Sequence, residues 1–175
     1  MSLSRTESHR RLPALSMGRI LFAGVSFFVL LAVAAVLHVR SADAGYRADE
    51  NRAIQAAITE GGLAQVDRAV WHIWDESVWV VMGKDKDGQE WILWERKDGI
   101  VKEKLSDGFS ESRIREHFAS ERPSAVPIRV LPGWFANRPV WEIRYRKTPR
   151  TAQQGIDFYS FKDGTLIKSY DLPGQ

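Results

Sequence analysis

The chain has no cysteine. That single absence removes disulfides, thiolate nucleophiles and sulfur-ligated metals. Histidine is scarce as well: His9, His38, His72 and His117 are the full set. No His-x-x-x-His or His-Glu pair accompanies them, so no metal site is expected. Neither Gly-x-Ser-x-Gly nor Ser-x-x-Lys occurs, and no glycine loop is built to cradle a phosphate. Carboxylates stand singly among lysines and arginines, and nothing marks a catalytic pair. Catalytic residues and cofactors are therefore expected to be absent too.

A surplus of charge is also missing where it would matter. The chain carries a net +3. Residues 45–175 hold 20 Lys and Arg against 20 Asp and Glu, whereas residues 1–44 hold 5 against 2. The basic excess belongs to the N-terminal segment, and the remainder has no overall field to attract a nucleic acid.

The N-terminal segment contains a long uncharged run, ILFAGVSFFVLLAVAAVLHV, at residues 20–39. As a helix it spans roughly 30 Å, the thickness of a bilayer core. Ala42-Asp43-Ala44 resembles a cleavage site, but the apolar run exceeds the roughly 7–15 residues of a signal peptide, so an uncleaved anchor is expected. Arg5, Arg10, Arg11 and Arg19 precede the run, and Arg40, Arg47 and Arg52 follow it. The bias toward a cytoplasmic tail at residues 1–19 is slight. One short tail and one folded part make export of the folded part the simpler topology.

From Gly45 the pattern is helical. Asp49 and Glu50 suit a first turn; Ile54, Ala57 and Ile58 repeat at helical spacing, and Gly61-Gly62 ends the run. No proline separates this helix from the anchor, so the two can be continuous. Strand patterns follow at 65–74, 77–83, 89–96 and 100–105, with Lys84-Asp85-Lys86-Asp87-Gly88 as a hairpin turn. The same loop fails as a calcium site, because Gly83 and Trp94 stand where Asp and Glu are required. Ser110 then caps a helix stopped by Arg122-Pro123. The spacing predicts an edge strand at 126–130 with Val126, Ile128 and Val130 on one face. A strand at 140–146 turns Trp141, Ile143 and Tyr145 inward, and strands at 156–161 and 166–172 complete the chain.

The two halves share marks. Val78-Trp79-x-Val81 returns as Val140-Trp141-x-Ile143, and Lys97-Asp98-Gly99 returns as Lys162-Asp163-Gly164. This is a tandem duplication of one helix followed by three or four antiparallel strands, an α+β architecture. Half-domains of roughly 60 residues are marginally stable, and a buried tryptophan removes roughly 150–250 Å² from water. Trp79 and Trp141, at equivalent positions, are expected in the core. Alternation separates Trp71 from Trp74 and Trp91 from Trp94, so two of these four can reach the outer face. Arg138, Arg144, Arg146, Lys147 and Arg150 are opposed locally by Glu142 alone. They form a candidate docking site for an acidic partner surface, or else a solvated edge kept from aggregating by charge.

The order of these features resembles a known family. A short basic tail, one anchor and a helix near Tyr46 precede Val78-Trp79-Val80-Val81 and the 84–88 turn. Trp91-Ile92-Leu93-Trp94 then stands before Lys97-Asp98-Gly99, and a second copy ends in IDFYSFKDGTLIK at 156–168. The whole is similar to the TseB-like cell wall elongation regulators of Gram-positive bacteria. The resemblance implies two tandem cystatin-like (PepSY-like) modules at 45–106 and 107–175. It also implies a single-pass membrane protein without enzymatic activity, its modules extracytoplasmic, tuning peptidoglycan elongation by contacting a penicillin-binding transpeptidase. A peptidase-inhibitor-like or peptide- or glycan-binding role at the cell surface is the alternative, because one fold hosts many functions.

Overall fold

The computed structural model describes residues 17–173; most of the basic tail expected at residues 1–19 lies outside the described residues. Helix α1 (Met17–Thr59) is continuous. The chain divides into two compact units between Tyr46 and Arg47. In the first, Met17–His38 is long and apolar enough to cross a membrane. Its side chains Phe22, Phe28 and Leu30 are all exposed, as a lipid-facing surface requires.

In the second unit, the last turns of α1 lead to a four-stranded antiparallel meander of β1 (Gln65–Ile73), β2 (Ser77–Lys84), β3 (Glu90–Arg96) and β4 (Gly99–Lys104). Helix α2 (Glu111–Glu121) follows. A second meander contains β5 (Val126–Phe135), β6 (Arg138–Arg146), β7 (Gln154–Ser160) and β8 (Leu166–Leu172). This α+β architecture fits two tandem cystatin-like modules. The Ser110 side chain accepts a hydrogen bond from the Arg113 backbone N–H at 3.3 Å, capping α2. Replacing Ser110 with alanine is expected to lower stability by about 1 kcal/mol, measured as a shift in the thermal unfolding midpoint.

The first meander, β1–β4, is sheet 1 and the second, β5–β8, is sheet 2; sheet 1 is buried on both faces. One face packs Trp79, Val81 and Leu93 against Ala53 and Ala57 of α1, with Trp71 and Trp91 at the margin. Here the helix departs in part from the expected face: Ala57 is buried as expected, but Ala53 is buried beside it and Ile58 is exposed. A sheet face carrying three tryptophans leaves room only for small side chains on the helix that covers it. A Cβ on Gly61 would lie 2.2 Å from Leu93, which shows how closely the chain approaches there. The other face carries Val78, Val80, Ile92 and Trp94. These join one apolar cluster with Ile114 and Phe118 of α2 and with Trp141, Ile143, Tyr145 and Tyr159 of sheet 2. Trp79 and Trp141 are 2% and 0% exposed, so both copies of the repeat place this tryptophan in the core.

Strand β5 departs from the expected 126–130 segment by continuing to Phe135. Its register shifts between Pro127 and Arg129, and the bulge turns Ile128 away from Val130, leaving it 49% exposed. Pro127 and Pro132 are tolerated because β5 is an edge strand.

Candidate functional site

Strand β6 distributes the five basic residues unevenly. Arg144 and Arg146 share one face at its C-terminal end, and Lys147 and Arg150 lie in the loop that follows. Arg138 starts the strand, so eight residues at roughly 3.3 Å each place it about 26 Å away from Arg146. Arg144 Nε donates to Gln154 Oε1 at 2.8 Å, and Lys147 pairs with Asp171 at 2.8 Å. Among the described residues, no carboxylate pairs with Arg146, Arg150 or Arg138. A further basic residue, not apparent from the hairpin alone, stands beside this group: Arg129 lies directly opposite Arg144 in the β5–β6 register. Only the strand register, with its bulge, reveals the pair.

Next on that face of β6 is Glu142, 2% exposed. In the duplication it occupies the position of Val80. Trp74 Nε1–H donates to Glu142 Oε2 at 2.8 Å, and Arg129 Nη2 donates to Oε1 at 2.6 Å. His72 Nε2 lies 3.1 Å from Oε2, while the Trp134 backbone N–H donates to His72 Nδ1 at 3.3 Å. Since Nδ1 accepts, the ring proton sits on Nε2 and points at the carboxylate. Burial pushes the Glu142 carboxyl up, but the hydrogen bonds from His72, Arg129 and Trp74 outweigh it. They hold the group at about 2 against an ordinary 4.5.

The junction depends on a missing side chain. His72 pairs with Val78, and Gly133 pairs with Val140, so the two residues hold equivalent places in the repeat. The imidazole rests on Gly133, where a Cβ would lie 2.3 Å from Nε2. Trp74 reaches across to sheet 2, stacked on Tyr170 at 5.4 Å and edge-on to Phe158 at 4.9 Å. Strands β1 and β5 are edges of separate sheets, and between them lies a cleft of about 300 Å³ lined by Trp71, Ile73, Trp74, Arg129 and Leu131.

A second buried carboxylate, Asp157, lies under α2 and is bound by Arg122. It also accepts from the Tyr145 hydroxyl at 3.2 Å. Burial, followed by the Asp157 charge, pushes Tyr145 up to about 12. Arg122 and Tyr145 line a groove of about 340 Å³ beside β8, but its charged groups already have partners: Lys147 with Asp171, Arg122 with Asp157, and Glu121 with the Tyr159 hydroxyl and His117. Among the described residues, no cluster of three His, Asp or Glu side chains is placed to hold a metal.

Comparison with known proteins bears on residues 52–94, which match the family model described as "Cell wall elongation regulator TseB-like domain". That segment runs from the last turns of α1 to β3, so the basic residues of β6 lie beyond it. The chain is 26% identical over 149 residues to the "Probable cell wall elongation regulator TseB" of Bacillus subtilis (strain 168), covering 83% of this chain and 91% of the relative. Its fold is similar to the solved structure of "YpmB protein from Bacillus subtilis", with a TM-score of 0.62 at 23% identity. That match covers 70% of this chain and 97% of the other.

Proposed function

We infer, for a chain that belongs to the TseB-like family of cell wall elongation regulators, that it is a membrane-anchored, non-enzymatic regulator of peptidoglycan elongation. Residues 17–38 cross the membrane with the N-terminus in the cytoplasm, and residues 47–175 act outside it. The regulator works by contacting a protein, a penicillin-binding transpeptidase, through the basic end of β6 and the loop after it. Arg138 contributes from the other end of the strand only if the contact is long. The observation that supports this reading is the run of exposed guanidinium groups without acidic partners, Arg146 and Arg150, beside Arg144 and Lys147. Such groups steer and orient an acidic partner.

The test is copurification of the tagged full-length protein from cells labelled with a fluorescent penicillin. A labelled transpeptidase is expected with the wild type, and less of it with Arg146→Glu. Retention of an exported protease in place of any labelled protein would overturn the reading in favour of the inhibitor role.

A further inference from the structure

We propose that the basic end of sheet 2 and the cleft between β1 and β5 form one docking surface, built by both modules. It receives a protein segment in which acidic side chains flank a large apolar one. This deepens the regulator reading and rests on it.

The charge half of the argument is the opposition of Arg129 and Arg144. Like charges directly opposite on neighbouring strands repel, and Arg146 extends the same face. The one carboxylate on the face of β6 between Arg138 and Arg146 is Glu142, and its two oxygens are already engaged by Arg129, His72 and Trp74. Arg144 is hydrogen-bonded to a neutral amide. Arg129 is neutralised by Glu142 and Lys147 by Asp171, so the local positive excess rests on Arg144 and Arg146, which no carboxylate among the described residues pairs with.

The apolar half is the cleft. Ile73 is 60% exposed and Trp74 36%, and they line a concavity with Trp71 and Leu131. Isolated exposed apolar residues mean little. Here they sit in one hollow with Arg129, the combination of tryptophan and arginine that anchors protein interfaces; His72 and Glu142 also line it, the carboxylate already bound by Arg129, His72 and Trp74. A volume of about 300 Å³ is at the small end for a ligand pocket, and suits one large side chain better than a cofactor. The arrangement also argues against insertion into lipid. Trp74 is stacked on Tyr170 and tied through its N–H to Glu142, so it forms a wall of the hollow and cannot swing out as a membrane anchor.

The experiment places a photoreactive benzoylphenylalanine at Ile73, at Arg146 or at Lys86 of the full-length protein in cells. All three positions are peripheral; Lys86 is exposed in the β2–β3 turn, away from the cleft. Adducts with a protein labelled by fluorescent penicillin are expected from Ile73 and Arg146 but not from Lys86. Peptide mapping is expected to find the Ile73 adduct on a segment with Asp or Glu beside a large apolar residue. Ile73→Asp with Arg146→Glu is expected to cut copurification about tenfold or more. Labelled adducts from Arg146 or Lys86 without Ile73 would overturn the composite surface while leaving the transpeptidase reading intact. So would lipid adducts at Ile73. No labelled adduct from any position, with no labelled protein copurifying with the wild type, would overturn both.

Discussion

Replacing Glu142 with alanine is expected to cost about 3–5 kcal/mol of unfolding free energy, measured by denaturant titration of the full-length protein in detergent. The loss exceeds that of one ion pair because Arg129, the Trp74 N–H and the His72 Nε2–H all converge on this carboxylate. His72 lies in β1, Trp74 in the turn just after it, and Arg129 in sheet 2, so the alanine leaves unpaired groups on both sides of the junction. The pH dependence has a definite sign. Unfolded, the carboxyl titrates near 4.5; folded, it titrates at about 2. Its stabilisation is thus complete above about pH 4.5 and is lost as pH falls toward about 2, a contribution of about 3 kcal/mol. Glu142→Gln, which keeps an acceptor but not the charge, is expected to lose this part of the acid sensitivity. If wild type and Glu142→Gln lose stability in parallel across that window, the account of the junction is wrong.

Trp94→Ala is expected to have an effect of similar size, about 3–5 kcal/mol. The indole is 0% exposed and lies edge-on to Phe161 at 5.3 Å and tilted to Trp134 at 6.4 Å. It is a residue of β3 packed on residues of sheet 2, so its removal should weaken both sheets in one cooperative transition. Hydrogen exchange provides the check, through amides of β3 and β7. Loss of protection in β3 alone, with β7 unchanged, would show that the sheets are energetically separate.

Much of the fold was legible because local patterns matched local structure. The β2–β3 turn, the Ser110 cap, and the inward Trp141, Ile143 and Tyr145 follow from spacing alone. The junction was not legible, for a physical reason. Alternation along β6 puts Glu142 on the outward face with Arg144 and Arg146, which is correct for the strand. What buries Glu142 is Trp74 and His72, nearly 70 residues earlier in the chain, and no local pattern records a cover supplied from so far away. Arg129 was hidden in the same way, since its partner depends on a bulge that no hydrophobic period marks. Ile54 and Ile58 misled in the opposite direction. With Ala57 they look like the core face of α1, but the tryptophans opposite select the smaller Ala53 in their place.

The two-sided burial of sheet 1 has a consequence for how the chain is made. Synthesis runs from the N-terminus, so β1 to β4 emerge before any part of α2 or sheet 2 exists. Through that interval Val78, Val80, Ile92 and Trp94 have nothing to pack against, and the nascent first half carries an open apolar face until roughly the last 60 residues arrive. A chain that ends early, at a stop codon or a nick in residues 105–110, is therefore not a smaller working protein. It is an adhesive fragment, and a cell would clear it.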